Sequence, residues 1–391
     1  MDANKQRRSE MRDAPLRVLL VGPSFDIVGG QSVQAARLLA RLKEEPSLDV
    51  SFLPINPRAP GFLAKLQAIK YVRTVITSLL YVIALLARIP RCDVIHIFSA
   101  SYFSFVLAPT PAIIISKLYG KKIVLDYHSG NAEDHLRRWR RTAIPTLRLV
   151  DRITVQTKYL AEVFARFGLR ATPIFNLIET EQFHFRERLS LRPAFMTNRS
   201  FEAHYNVACV LRAFARVQRE IPSASLMVAG DGALRAELEA LAGELALRNT
   251  QFVGTIAPEQ MPALYDAADI FLNGSSVDNM PLSILEAYAA GVPVVTTNAG
   301  GIPFIVTHEE TGLMVECDQP EAMAACALRL LNNHTLAHKL ARQAREECRK
   351  YGWDAVRHEW LRLYYDASAQ EGEKTLRSKF VAGEKETAGK S

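Results

Sequence analysis

Short apolar runs rich in Val, Ile and Leu, closed by glycine or polar turns, alternate along this chain with segments of helical period. RVLLVG (17–22) is continuous and ends in glycine. After a short loop, QSVQAARLLARLKEE places Val33, Ala36, Leu39 and Ala40 on one helical stripe. DVSFLPI, DVIHIFSA, KKIVLDYHSG and RITVQT repeat the strand pattern, with helical stretches between them. Strands that are apolar on both faces need cover on both sides, and intervening helices supply it. The pattern therefore predicts a parallel α/β sheet. PIFNLIETEQFHFRERLSLRP (173–193) holds no sustained period and is bracketed by prolines, so it reads as a connection. The alternation restarts with VLRAFARVQREIP, SLMVAGDG, TQFVGTI, IFLNGSS, PLSILEAYAAG and VPVVTT, predicting a second α/β domain of similar size. Two such domains imply a ligand cleft between them.

Composition narrows the class. The 391 residues are 49% hydrophobic and 23% charged, which excludes disorder or collagen-like repeats for the bulk of the chain. The polar ends, 1–15 and 370–391, are expected to be disordered. The net charge of +7 conceals a division. Residues 1–190 hold 28 Lys and Arg against 16 Asp and Glu, whereas 191–391 hold 20 against 25. The halves are expected to meet different partners. Five widely spaced cysteines without a C-x-x-C pair argue against a disulfide framework or zinc site and for reduced, cytoplasmic thiols. Residues 1–15 lack the apolar stretch of a secretory signal.

Two features bear on a membrane. The longest apolar run, TVITSLLYVIALLA (74–87), has 14 residues, short of the ~20 that span a bilayer. Lys70, Arg73, Arg88 and Arg91 flank it, and RRWRR gathers Arg137, Arg138, Trp139, Arg140 and Arg141. A core helix and solvated arginines account for these features, and so does docking on anionic lipid. No nucleic-acid-binding motif accompanies the charge.

The densest chemistry lies in IFLNGSSVDNMPLSILEAYAAGVPVVTTNAGGIP (270–303). A strand ends in a loop of small residues, Pro281 stands where the first helical turn begins, and the helix stops at Gly291. N–H groups at such a helix start suit a phosphate. Leu282, Leu285, Glu286 and Ala289 share a stripe. A carboxylate there needs donors, either sugar or ribose hydroxyls or a neighbouring arginine. Asp278 alone reads as a loop or helix-start acid, and Gly300 and Gly301 admit a close ligand or a tight turn. GDGALR (230–235) begins like a dinucleotide fingerprint. Arg235 replaces its third glycine and no acid ends the next strand, which argues against a NAD enzyme.

DNMPLSILEAYAAGVPVVTTNAGGIP resembles the signature of the family-four (group 1) retaining glycosyltransferases, whose GT-B fold faces two Rossmann-like domains across a cleft. VGPSFDIVGGQS, DYHSG, LMVAGDGALR, FVGTI and ETGLMV match further landmarks in order, and YGWDAVRHEWLRLYY resembles the family's closing helix. The resemblance implies an acceptor-side domain at 16–180, a nucleotide-sugar-binding domain at 181–350 and a closing helix at 351–369 that returns to the first domain. It implies a sugar transfer from a nucleotide-diphosphate sugar to a hydroxyl of a lipid-linked or cell-surface glycan. The nucleotide-sugar is then a co-substrate, and no cofactor is expected. The absence of a D-x-D motif argues against a metal-dependent diphosphate site.

By the same resemblance His128, Asp278 and Glu286 form the catalytic set. Glu286 would hold ribose hydroxyls, and His128 would contact the donor sugar near its reacting carbon. Asp278 and the backbone of Asn279, Met280, Pro281 and Leu282 would contact that sugar as well. Arg199 would bind the diphosphate, Gly29 and Gly30 would bring N–H groups to it, and Gly254, Thr255 and Ile256 would face the base. There are two departures. The first carboxylate of the family's Glu pair is Asp278 here, and the usual lysine five or six positions after the arginine is His204 or Tyr205. A sugar-nucleotide epimerase and a catalytically degenerate binding protein are the alternative readings. The expected place of action is cytoplasmic, peripheral on the inner face of a membrane.

Overall fold

The computed structural model describes residues 14–26, 29–59, 65, 67 and 69–368. Apart from residues 14 and 15, the ends expected to be disordered lie outside the described residues. The first sheet comprises β1 (Leu16–Gly22), β2 (Leu48–Pro54), β3 (Val94–Ser99), β4 (Lys122–Tyr127), β5 (Arg152–Val155) and β6 (Ala171–Pro173), in the order β2-β1-β3-β4-β5-β6. The second comprises β7 (Ala194–Asn198), β8 (Ser225–Ala229), β9 (Thr250–Gly254), β10 (Ile270–Asn273), β11 (Val294–Thr297) and β12 (Leu313–Val315), in the order β12-β11-β10-β7-β8-β9. Every pairing is parallel. β3 is buried throughout, with the polar His96 and Ser99 among its apolar residues, as a strand covered by helices on both faces must be.

Strand order reverses between β1 and β3 in one sheet and between β7 and β10 in the other. Loops leaving the carboxyl ends of such strands diverge to opposite faces and leave a crevice. The two crevices face each other. Two facing Rossmann-like α/β domains are the arrangement expected from the sequence.

The helix Gly30–Lys43 buries Ala35, Leu38, Leu39 and Leu42 rather than the stripe predicted from Val33, Ala36, Leu39 and Ala40. Val33 and Ala36 are half-buried and Ala40 is exposed. The prediction missed the phase because this helix has two neighbours. Its apolar face covers the first sheet, while Gln34 is buried against the Leu177 backbone and Arg37 reaches Glu286 of the second domain.

The helix Lys70–Arg88 also departs from expectation. It is 19 residues long, and the stretch 71–91 is long and apolar enough to cross a membrane. Tyr81, Leu85 and the following Ile89 anchor one face in the first core. Val72, Val75, Leu79, Ile83 and Leu86 are exposed on the other. This is a surface helix with an outward apolar face, not a core helix.

The chain crosses between the sheets twice. After the second sheet, helix 353–368 returns to the first, where Val356, Trp360, Leu363 and Tyr364 pack with Val18, Leu20, Ala35 and Leu38. The two crossings touch. The Ile178 N–H donates to the Tyr351 carbonyl at 2.9 Å, and the Phe175 ring meets Tyr351 edge-on.

Candidate active site

A cavity of about 550 Å³ lies between the sheets, lined by the loops that leave β1, β3, β4 and β5 on one side and β7, β8, β9 and β10 on the other. Gly29, Gly30, His128, Arg199, Thr255, Ile256, Asp278, Asn279, Met280, Pro281, Leu282 and Glu286 all line it. Gly254 does not, and its carbonyl accepts from the Gly230 N–H at 2.8 Å. The RRWRR segment also lies elsewhere. Arg137, Arg138, Arg140 and Arg141 are exposed, and Trp139 is half-buried against the first core. Arg137 and Arg138 pair with Asp134 at 3.7 and 2.8 Å.

His128 follows β4, and alternation along an extended chain puts it on the same side as Asp126. Its Nε2 lies 2.7 Å from Asp126 Oδ2. An ionised carboxylate only accepts, so Nε2 carries the proton and Nδ1 is left as an acceptor when the ring is neutral. Asp126 is buried and also accepts from Thr154 Oγ1 at 3.0 Å and Gln156 Nε2 at 2.8 Å. Burial pushes its carboxyl up, but the adjoining His128 and these hydrogen bonds prevail and hold it below the ordinary range. With its amide committed to Asp126, Gln156 turns its carbonyl to the second domain, where it accepts from Asn279 Nδ2 at 2.9 Å. The Thr157 hydroxyl donates to Asn279 Oδ1. A buried polar chain thus runs from His128 through Asp126 and Gln156 to the Asp278–Leu282 loop.

Arg199, just past β7, donates to the Asp278 carboxylate and, at 3.3 Å, to Ser283 Oγ. Its guanidinium lies over the Tyr205 ring, 3.9 Å from the centroid. One of the two residues near the missing lysine's place therefore braces the arginine instead of adding a cation. The other, His204, lines the cavity, and burial pushes its pKa down.

Two glycine pairs serve the backbone. Gly230 has φ +136°, and a Cβ there would fall 2.0 Å from the Arg199 carbonyl oxygen. The GDG turn is shaped by close contact with the segment carrying Arg199. Gly300, at φ +51°, would place a Cβ 2.2 Å from the Asp278 carbonyl oxygen, while the Gly301 N–H donates to that oxygen at 3.0 Å. Gly300 and Gly301 therefore meet the site loop from behind. Pro281 caps the helix Leu282–Ala290 in an extended conformation, one position earlier than expected. That helix is buried on every side from Ser283 to Ala290, so the predicted stripe does not distinguish its faces.

Glu286 is buried and lines the cavity, and burial pushes its carboxyl up. Its arginine partner comes from the opposite domain. Arg37 Nη2 donates to Oε1 at 3.1 Å, while the Tyr265 hydroxyl, shared with the Ser283 carbonyl, reaches Oε2 at 3.2 Å. Among the described residues, no three His, Cys, Asp or Glu side chains converge as a metal cluster.

Residues 180–347 match the family model described as glycosyl transferases group 1. That match takes in most of the second domain and less than half of the chain. A relative from Campylobacter jejuni, an α-1,4-N-acetyl-D-galactosaminyltransferase named for a diNAcBac-PP-undecaprenol-linked acceptor, is 24% identical over 67% of this chain and 73% of its own. A Mycobacterium tuberculosis GDP-mannose-dependent phosphatidylinositol monomannoside mannosyltransferase is 28% identical over 44% of this chain and 47% of its own. The chain spans less than half the length of the curated relatives that it matches at 28–33% identity. HepE from Anabaena, solved with UDP-glucose, superposes with a TM-score of 0.68 at 17% identity, covering 93% of this chain and all of HepE. At that identity the likeness is one of fold. The matched domain and the first-sheet loops together enclose the cavity.

Proposed function

We propose that this protein is a retaining glycosyltransferase that moves a sugar from a nucleotide-diphosphate sugar to a hydroxyl of a lipid-linked or surface-glycan acceptor. One observation carries the reading: a single interdomain cavity brings His128 together with Arg199, Asp278, Glu286 and a helix start of the matched domain. Breaking the bond between the anomeric carbon and the diphosphate oxygen develops positive charge on the sugar and negative charge on the leaving group. Arg199 and the start of the helix Leu282–Ala290 stabilise the diphosphate through preorganised charge. The acceptor oxygen attacks from the same face, and its proton passes to the departing phosphate oxygen. His128 presents Nδ1 to a donor-sugar hydroxyl, and Glu286 accepts from the ribose. The charge is handled by protein groups without a metal ion.

The names of the two relatives, both describing acceptors attached to lipids, support a lipid-linked acceptor. The exposed face of the helix Lys70–Arg88 supports a membrane location, with exposed Arg73 and Arg91 near its ends. Five unpaired cysteines agree with a cytoplasmic setting.

A screen against nucleotide-sugars in EDTA, with analysis of product configuration, tests the chemistry. Retained configuration supports it, and an inverted product overturns it. Epimerised donor without transfer would favour an isomerase. In co-sedimentation with phosphatidylglycerol vesicles, wild-type protein is expected to pellet, and Val75→Asp with Leu79→Asp is expected to stay in solution with its melting temperature unchanged. Failure of the wild type to pellet at low salt overturns the membrane reading.

A further inference from the structure

Glu286 is a buried acid in the donor half of the cavity, yet its strongest partner belongs to the other domain. Arg37 projects from the helix Gly30–Lys43, whose first residues line the cavity; Arg37 itself is not among the lining residues. Its Nη2 reaches Glu286 Oε1 at 3.1 Å and its Nη1 reaches the Leu177 carbonyl at 3.4 Å, at the first crossing between the sheets. Both members of the pair are buried. Gln34, one turn earlier, holds the same crossing with a reciprocal pair of bonds to Leu177, 2.6 Å to its carbonyl and 2.8 Å from its N–H. The guanidinium is thus held between the Leu177 carbonyl and the carboxylate.

The geometry points to Arg37 as a positioning residue for donor binding: from the first domain, it keeps the Glu286 carboxylate ionised and turned to the cavity. A carboxylate offers about four acceptor positions. Arg37 and Tyr265 occupy two of them, leaving acceptor capacity for the vicinal hydroxyls of a ribose. Burial alone favours the neutral acid, which would present a donor where the ribose also presents donors. The nearby guanidinium opposes that change. The donor's nucleoside is therefore bound by the matched domain but made bindable by its neighbour. The inference rests on the proposed nucleotide-sugar reading.

Calorimetric titration with UDP and, separately, GDP measures this without turnover. For whichever nucleotide the wild type binds, Arg37→Met is expected to weaken binding about 30-fold and Arg37→Lys less than 5-fold, in line with loss of a buried charge partner. In a Glu286→Gln background, adding Arg37→Met should change affinity less than twofold, because no charge remains to be held. This double variant also removes both buried charges and is expected to fold, whereas the single change leaves one charge stranded. With any donor that is turned over, the single change should raise donor KM and leave kcat within twofold. Undiminished nucleotide affinity in Arg37→Met, or an equal loss in both backgrounds, overturns the inference alone. No binding of either nucleotide by the wild type overturns the donor reading, and this inference with it.

Discussion

Arg199 is held in place at the cavity by three contacts: Asp278 and Ser283 fix its guanidinium, and Tyr205 lies against its face. Removing a preorganised charge donor of this kind costs about 10²–10³ in kcat. Arg199→Met is expected to lose turnover by that factor at saturating donor, as steady-state kinetics would show. A tyrosine next to the lost lysine position reads in sequence as a missing cation, whereas in the fold it braces the remaining one. At this scale, legibility depended on distance along the chain. Asp126 was within reach, since D-x-H on a strand end puts both side chains on one face. Arg37, Gln156 and Thr157 had no local signal, because each acts on a residue more than a hundred positions away.

Among the connecting elements, the turn after β8 is the most constrained. An alanine at position 230 would need φ +136° and would drive its methyl into the Arg199 carbonyl. Gly230→Ala is expected to cost at least about 1–3 kcal/mol, the scale of such backbone strain. It should also raise the donor KM by displacing Arg199. Urea unfolding and kinetics measured on the same preparation would show both. Strands and their parallel pairing were readable from apolar runs, because burial on both faces leaves a pattern that needs no partner to be recognised. Helix phase was less so. Periodicity reports only apolar burial, and the helix Gly30–Lys43 also buries Gln34 against the Leu177 backbone and Arg37 against the second domain. The helix Lys70–Arg88 shows the opposite limit, since an apolar face turned outward has the same sequence as one turned inward.

For the molecule as a whole, acid should act first on the first domain. Burial pushes His96 and His135 down to about 4, from an ordinary value of 6.5. The unfolded chain then binds more protons than the folded one between these values. The stability they confer is complete above pH 6.5 and is lost as pH falls towards 4, at roughly 1.4 kcal/mol per pH unit for each histidine. His96 Nδ1 lies 2.7 Å from the Tyr364 hydroxyl, which ties this histidine to helix 353–368. His96→Gln should flatten the decline in urea midpoint measured from pH 7 to 4.5. The uneven charge along the sequence pointed to two halves that meet different partners, but gave no sign that Arg37 of one would pair with Glu286 of the other.

The paired crossings at Ile178 and Tyr351 also have a mechanical consequence. Two covalent links lying side by side and hydrogen-bonded to each other work as the pins of a door: they leave rotation about one line and resist twist and slide. Displacement on such a pivot grows with distance from it. Leu177 and Arg37 stand beside the pins, where motion on the pivot would change their spacing least. Any opening of the cleft about that line would leave the groups nearest the pivot set.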